Sequence, residues 1–270
     1  AKLRHALDSL ALDGAKVRIS RVKKSGLDAC DFAVELDAAH ENHDHDMAYL
    51  HGISQGNMHV HNHEYHDDHD HDHHHAHDQE HHHDHDHHHT HDHPHVHRGL
   101  QEITQIIEAA ELTDGARRLA LRIFDILADA EAKAHGVPRE EVHFHEVGAI
   151  DSIVDIIAIA VCFDDLREKE NITEVIVPVL YEGTGTVRCQ HGVLPIPVPA
   201  VAAIVRKAGI RMHLIPDQGE FVTPTGAAAV AALRTSDQLP SEFVIRRTGL
   251  GAGKRDYRRA GVVRAMLLED

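Results

Sequence analysis

The chain contains no tryptophan, and aromatic residues make up only 4% of its 270 residues. Long apolar runs are also absent: the longest, Ile156 to Phe163 (IIAIAVCF), is much shorter than the roughly 20 residues of a membrane-spanning helix. The three cysteines, Cys30, Cys162 and Cys189, form no C-x-x-C pair and suit a reducing cytoplasm better than a disulfide framework. We therefore expect a cytoplasmic protein that has no membrane partner.

Basic residues are absent from one long stretch of the chain. Residues 40–97 hold 25 of the 31 histidines and 13 acidic residues, but neither lysine nor arginine. The rest of the chain has 31 acidic against 27 basic residues, so it offers neither a basic face for nucleic acid nor a polybasic segment for membranes. Because residues 40–97 could not bury a core, we predict that they form a disordered insertion.

The segments on either side of the insertion predict one α/β (α+β) domain, with a mixed sheet covered by helices. Residues 1–39 give a helix and a β-hairpin, and residues 98–270 give the remainder of the domain. Loop closure costs only about 0.6 kcal/mol per doubling of loop length, so both segments can belong to one domain. The further predicted elements are helices at 100–110, 113–135, 149–166, 200–208 and 224–233, and strands at 141–146, 173–180, 186–190, 210–215, 243–248 and 262–268.

The insertion is rich in candidate metal ligands. Neutral imidazole binds nickel, zinc and copper, and the interleaved carboxylates concentrate cations. Many equivalent sites on a flexible segment would exchange metal quickly, as a reservoir or a delivery arm does. The alternative is a solvated low-complexity loop without a role. The histidines that we predict to bind metal include His69, His71, His73, His74, His75, His81, His82, His83, His85, His87, His88 and His89.

A second metal site is predicted in EVHFHEVGAIDSIVDI, residues 141–156. His143 and His145 project from the same face of a predicted strand, and Asp151 and Asp155 lie on one face of the helix that follows. Two imidazoles and two or three carboxylates could hold a metal ion temporarily here and remove a proton. The alternative is structural, because Ser152-x-x-Asp155 ahead of an apolar run is also a capping-box pattern.

Two glycine-containing motifs each have a functional and a structural interpretation. In GTGTVRCQHG, residues 183–192, the pair Cys189-x-His191 could add a soft metal ligand, and a glycine-rich hairpin turn is the alternative. In TPTG, residues 223–226, the N–H groups and hydroxyls at a helix start suit an anion. The alternative there is Thr223 as the N-cap residue and Pro224 as the first helical residue.

The motif GLGAGKRDYRR, residues 249–259, is similar to a P-loop but does not match it. G-x-x-x-x-G-K-[ST] would require glycine at position 248 and serine or threonine at position 255, where the chain has Thr248 and Arg255. The usual NTPase function is thereby excluded. Lys254 and Arg255 remain candidates for contacts with a nucleotide phosphate, and the alternative is a solvated basic turn.

The motifs VHFHEVGAIDSIVDI, YEGTGTVRCQHGVLPIPVPA, EFVTPTGAAAVAAL and GLGAGKRDYRRAG, in this order around a His-rich insertion, resemble those of the nickel-insertion (LarC) family. The likeness runs from about Leu100 to the end, and the helix and hairpin of residues 1–38 also fit. The family begins with a strand and a Gly/Ser/Asp-rich segment ahead of residue 1, and it carries a C-terminal domain past about residue 270. We therefore expect the chain to be the family's N-terminal domain, trimmed at its start.

The resemblance implies that Ni(II) is inserted into pyridinium-3,5-bisthiocarboxylic acid mononucleotide, which yields the nickel-pincer cofactor of lactate racemase-type enzymes. The activity is then that of a nickel insertase of the lyase class, and the His-rich loop gathers and delivers Ni(II). The implied residues are the metal ligands His143, His145, Asp155 and His191, the proton-accepting Glu146 or Asp151, and the substrate-phosphate ligands Thr225, Gly226, Lys254 and Arg255.

The same resemblance implies the cofactors and partners. Ni(II) is the metal; CTP use in the family is tied largely to the C-terminal part, which argues against CTP binding by this chain. The partners are the mononucleotide substrate, a C-terminal domain on the same or a separate chain, and a lactate racemase-type apoenzyme. The alternatives are a non-catalytic nickel metallochaperone or storage protein, whose usual P-loop partner signature is absent, and the soluble part of a zinc transporter.

Overall fold

The computed structural model describes residues 1–10, 12, 14–37, 50, 98–144 and 149–269, and it describes only the backbone of His143. The disorder that we predict for residues 40–97 therefore falls, apart from Leu50, outside the described residues. The same holds for the predicted site residues His145 and Glu146 and for the histidines of the insertion. Within the described ranges, no helix combines the length and the apolar character that crossing a membrane requires.

The chain begins with a short helix and a β-hairpin. Helix α1 spans Lys2–Asp8, and strands β1 (Ala15–Lys24) and β2 (Leu27–Leu36) pair antiparallel along their whole length. The turn between the strands is Ser25-Gly26, and both residues have positive φ, 50° and 81°. Glycine adopts this conformation without strain, and the observed turn confirms the predicted hairpin.

The later part of the chain alternates helices with short strands. The long helix Asp114–His135 ends where Gly136 adopts a left-handed conformation, and Thr113 caps its first turn by accepting a hydrogen bond from the N–H of Ala116 at 3.2 Å. It is α3 in the chain order given below. Both ends of α3 thus follow the sequence pattern. The elements are β3 (Arg98–Gly99), α2 (Leu100–Ala109), α3 (Asp114–His135), β4 (His143–Phe144), α4 (Ile150–Glu170), β5 (Leu180–Thr184), β6 (Thr186–Cys189), β7 (Gly192–Pro195), α5 (Pro199–Ala208), β8 (Met212–Gln218), α6 (Pro224–Leu233), β9 (Val244–Ala252) and β10 (Val262–Glu269).

A mixed four-stranded sheet joins the two ends of the chain, in the order β1-β2-β9-β10. The outer pairs are antiparallel, whereas β2 and β9 run parallel and meet at Cys30 and Gly251. Three two-stranded sheets complete the described strands: β3-β4, β5-β8 and β6-β7. The mixed α/β class is as predicted.

Helix α3 is the centre of the core. It packs against α4, α5 and α6, and its buried residues recur every three or four positions, as in Ala120, Ile123, Phe124 and Leu127. Phe124 meets Phe144 of β4 edge to face, with ring centroids 6.1 Å apart. Each such side chain contributes about 1.5–3 kcal/mol on burial, so α3 fixes the positions of the three helices around it.

The strand predicted at 173–180 is wrong in its position. The structure has only an isolated parallel bridge there, between Ile176 and Ser236, and the strand itself is β5, which starts at Leu180. Pro178 explains the shift, because proline has no N–H to donate to a strand ladder. The apolar alternation of TEVIVPVL therefore indicates an extended segment that pairs at one bridge and does not form a strand of its own.

Candidate functional site

One cavity of about 1390 Å³ collects the predicted site residues that the structure describes. Helix α4, the hairpins β1-β2 and β6-β7, the start of α6 and the loop after β9 form its walls. The predicted residues that line it are Asp151, Asp155, His191, Thr225, Gly226, Lys254 and Arg255.

Asp151 and Asp155 occupy the first turns of α4, on the side that faces the cavity. The opposite side of the same helix is anchored in the core by fully buried isoleucines, including Ile153 and Ile157. Helix α4 starts at Ile150, so Ser152 lies inside the helix and does not cap it. The capping-box interpretation of Ser152-x-x-Asp155 is therefore wrong.

Asp155 has a strongly perturbed pKa. The side chain is exposed, but its exposed surface faces the cavity, where surrounding protein replaces much of the solvent. This desolvation and the nearby negative charge of Asp151 raise the pKa of Asp155 to about 7, although the positive charge of Lys254 opposes the shift. A carboxyl with this pKa can accept and release a proton near neutral pH.

The basic turn after β9 is held by ion pairs and is not a freely solvated turn. Lys254 binds the buried carboxylate of Asp31, and Arg255 binds the buried carboxylate of Glu220. The hydrogen bond from Lys254 holds the pKa of Asp31 below its usual range. Both cations therefore reach the cavity with a fixed carboxylate beside them, which lowers the net positive charge that a phosphate would meet.

The segment after β8 supports the same wall. Gly219 has φ of 124°, and a side chain there would collide with the ring of Tyr257. The Tyr257 hydroxyl donates to the carbonyl of Glu220 at 3.1 Å, and its ring lies 4.5 Å from that of Phe221. Glycine is thus required at position 219 by both the backbone conformation and the close approach of an aromatic ring.

The start of α6 has the predicted cap. Thr223 accepts a hydrogen bond from the N–H of Gly226 at 3.2 Å, and Pro224 is the first helical residue. The structural interpretation of TPTG is thereby confirmed. Thr225 and Gly226 nevertheless line the cavity, so the N-terminus of the helix faces the space in which a substrate would lie.

Glu182 is a buried residue that the sequence does not single out. It lies on β5, is fully buried, and its Oε1 accepts hydrogen bonds from the N–H groups of Gly183, Phe221 and Val222 at 2.8, 2.8 and 3.3 Å. Burial raises the pKa of Glu182. Its carboxyl fixes the segment that leads into α6 and so sets the position of that helix start relative to β5.

His191 lies in the two-residue turn between β6 and β7, which confirms the predicted hairpin. Its Nδ1 is 3.8 Å from the Sγ of Cys189, and its ring lies 4.8 Å from the ring of His135 at the end of α3. His135 and Cys189 line the same cavity. The structure therefore places the predicted pair Cys189 and His191 together and adds one ligand-type side chain, His135, from a helix far away in the sequence.

Among the residues with described side chains, no three histidine, cysteine or carboxylate groups are close enough to hold one metal ion together. His143 and His145 thus stay predictions, as does Glu146. Asp31, Glu182 and Glu220 were missed by sequence reasoning. For Asp31 a signal existed, because it lies on the same face of β2 as Ala29 and Ala33, and a charged residue on a buried face needs a partner.

The fold and the cavity define an α/β protein that exposes paired carboxylates and potential soft ligands to one internal site. The model of the family described as nickel insertion protein matches residues 1–270. A pyridinium-3,5-bisthiocarboxylic acid mononucleotide nickel insertion protein of Alkaliphilus metalliredigens is 43% identical over 99% of this chain and 54% of its own length. The chain belongs to the nickel insertion protein family.

Further relatives bear the same name and match a shorter part of the chain. The protein of Clostridium acetobutylicum is 41% identical over 63% of this chain and 39% of its own length. That of Akkermansia muciniphila is 42% identical over 64% of this chain and 41% of its own length. The chain thus spans about half the length of the curated relatives it matches, or less. No solved structure matches it.

Proposed function

We propose that the chain inserts Ni(II) into pyridinium-3,5-bisthiocarboxylic acid mononucleotide and so forms the nickel-pincer cofactor of lactate racemase-type enzymes. The observation that carries the proposal is that one cavity joins the paired carboxylates of α4 to the start of α6 and to His191. The choice of substrate is based on the names of the relatives, which contain this mononucleotide. The activity is that of a nickel insertase of the lyase class.

The proposed reaction exchanges a proton for a metal ion. Two Ni–S bonds and one Ni–C bond form, and the C–H bond of the ring carbon breaks. Its proton passes to a carboxylate, and nickel stays Ni(II) throughout. Asp155 is suited to this step because its pKa of about 7 lets it accept a proton at neutral pH, and Asp151 beside it sustains that pKa. Glu146 remains a further candidate base.

Metal and phosphate are held at different walls in this proposal. His143, His145 and His191 are the candidate nickel ligands, with open positions left for the sulfur atoms of the substrate, and Asp155, predicted from the sequence as a fourth ligand, acts as the base instead. The substrate phosphate lies at the start of α6, near Thr225 and Gly226. Lys254 and Arg255 add two further donors, and their carboxylate partners fix the direction in which these donors point.

The histidine-rich insertion supplies the metal. Its imidazoles bind Ni(II) in fast exchange and raise the local nickel concentration at the cavity. We further propose that a C-terminal domain, on the same or a separate chain, completes the protein, that the product passes to a lactate racemase-type apoenzyme, and that the reaction takes place in the cytoplasm. The competing function is a non-catalytic nickel metallochaperone or store.

The test is nickel insertion by the full chain in the presence of its C-terminal partner domain, followed by mass spectrometry of the mononucleotide. Asp151→Asn and Asp155→Asn should each lower the rate by about 100-fold or more, the usual effect of losing a general base. Asp165→Asn is the matched control, because Asp165 is on the same helix but pairs with Lys2 outside the cavity.

A second comparison separates the insertase from the metallochaperone. Deleting residues 40–97 should leave turnover nearly intact at saturating nickel, while His143→Ala or Glu146→Ala should abolish it. If the deletion alone removes all turnover at saturating nickel, or if the Asp151 and Asp155 variants insert nickel as fast as the Asp165 control, the insertase proposal is wrong.

A further inference from the structure

Besides the carboxylates of α4, the cavity contains a thiol and two imidazoles that lie close together. The Cys189 Sγ is 3.8 Å from the His191 Nδ1, and the ring of His135 lies 4.8 Å from that of His191 at an angle of 48°. All three residues line the cavity. Cys189 and His191 belong to the β6-β7 hairpin, and His135 belongs to the last turn of α3.

The distance between the thiol and the imidazole suits a shared metal ion. Metal–nitrogen and metal–sulfur bonds of about 2.0 and 2.3 Å place two ligand atoms of one tetrahedral ion roughly 3 to 4 Å apart. The hairpin turn holds both side chains, since Cys189 pairs with Gly192 and only Gln190 and His191 form the turn. The two ligand atoms are therefore already at the separation that one ion requires.

His135 is placed to support this pair. Its Nε2 lies 3.4 Å from the Oε2 of Glu131, one helical turn earlier on α3. A carboxylate beside an imidazole orients the ring and increases its basicity, which strengthens metal binding. His135 is therefore the supporting imidazole beside this pair.

We propose that Cys189 and His191 form a thiolate–imidazole nickel site in the cavity, with His135 as the supporting imidazole. Binding breaks the S–H bond of Cys189 and forms an S–Ni bond, and the proton leaves to solvent without any change of oxidation state. Two protein ligands leave the other positions of the ion open. A thiolate also discriminates against Mg²⁺ and Ca²⁺, which prefer oxygen ligands.

The role of this site rests on the proposed function: nickel stays bound to Cys189 and His191 until the sulfur atoms of the substrate occupy its open coordination positions. The carboxylates of Asp151 and Asp155 line the same cavity and remain available for the proton. In this proposal Cys189 and His191 bind the metal, and the two aspartates accept the proton.

The test uses the absorption that a thiolate gives when it binds nickel. Ni(II) is added to the full 270-residue chain beyond the capacity of the histidine-rich insertion, and the thiolate-to-nickel charge-transfer band is recorded. Residues 40–97 contain no cysteine, so the insertion cannot produce this band. Cys189→Ser should abolish the band, and His191→Ala and His135→Ala should each weaken nickel binding at the site by about 10- to 100-fold.

Cys30→Ser and Cys162→Ser are matched controls, because both thiols line the same cavity and neither lies in the β6-β7 hairpin. Both variants should keep the band. Persistence of the band in Cys189→Ser, or its loss in either control, overturns the proposal. Circular dichroism verifies that each variant is folded. A band with no insertion activity would refute the proposed function alone, and activity with no band would refute the thiolate site alone.

Discussion

Replacing Glu182 with alanine would leave three backbone donors, two buried and one partly buried, without their acceptor. The N–H groups of Gly183, Phe221 and Val222 all donate to Oε1 of this side chain. A buried donor left unsatisfied costs about 1–3 kcal/mol, and water can enter part of the vacated space. We therefore expect Glu182→Ala to lower the free energy of unfolding by about 3–6 kcal/mol, a large share of the 5–15 kcal/mol of a typical domain.

Glu182→Gln separates hydrogen bonding from charge. The glutamine keeps an oxygen at the position of Oε1, while the other carboxyl oxygen, Oε2, is buried without a hydrogen bond in the wild type. The loss should therefore stay below about 1.5 kcal/mol. Urea unfolding of the three proteins, followed by circular dichroism, measures these differences.

The pH dependence of the same comparison has a defined sign. Burial raises the pKa of Glu182 above its unfolded value, so the wild type loses stability as pH rises through the raised pKa. The glutamine variant does not titrate there, and it should gain stability relative to the wild type as pH rises. Equal losses in Glu182→Ala and Glu182→Gln, or a loss below about 1 kcal/mol in the alanine variant, would refute the role of Oε1 as an acceptor.

Three further substitutions give measurable outcomes. Gly183→Ala places a Cβ against the carbonyl oxygen of Gly219, a backbone atom that cannot rotate away. The free energy of unfolding in urea should therefore fall by about 1–3 kcal/mol, and an unchanged urea midpoint would contradict this steric conflict. Asp155→Asn should raise the melting temperature at about pH 8 and change it little at about pH 4. The reason is that the wild type loses stability as pH rises towards the raised pKa of Asp155, about 7, whereas the asparagine does not titrate. The opposite trend would contradict the raised pKa. Lys254→Met removes the nearer cation from the buried Asp31, which keeps only Arg18 at 3.9 Å, and should cost about 1–3 kcal/mol in urea unfolding; a second change, Asp31→Asn, should restore most of this loss.

Local features of the fold were predictable from the sequence because neighbouring residues determine them. The cap at Thr113, the left-handed Gly136, the Ser25-Gly26 turn and the start of α6 all depend on a few adjacent positions. The hairpin around His191 belongs to the same group. Even where the pattern misled, at TEVIVPVL, the reason is local, since Pro178 lacks the N–H that a strand would use.

The walls of the candidate site depend instead on residues far apart in the sequence. Glu182 reaches Phe221 over 39 positions, and the approach of His135 to His191 depends on how α3 packs beside the β6-β7 hairpin. A single sequence carries no direct signal for such pairs. It does place Asp31 on the same strand face as Ala29 and Ala33, and a charged residue on such an apolar face predicts a partner without naming Lys254.

The ion pair between Asp31 and Lys254 joins residues that lie 223 positions apart. During synthesis at about 5–20 residues per second, Lys254 follows the last histidine of the insertion, His97, by roughly 8 to 30 seconds. Under the proposed function, the insertion would collect nickel while the cavity wall has not yet been made. Metal capture and closure of the cavity would then be separated in time, so a newly made chain would already carry nickel when the cavity first forms.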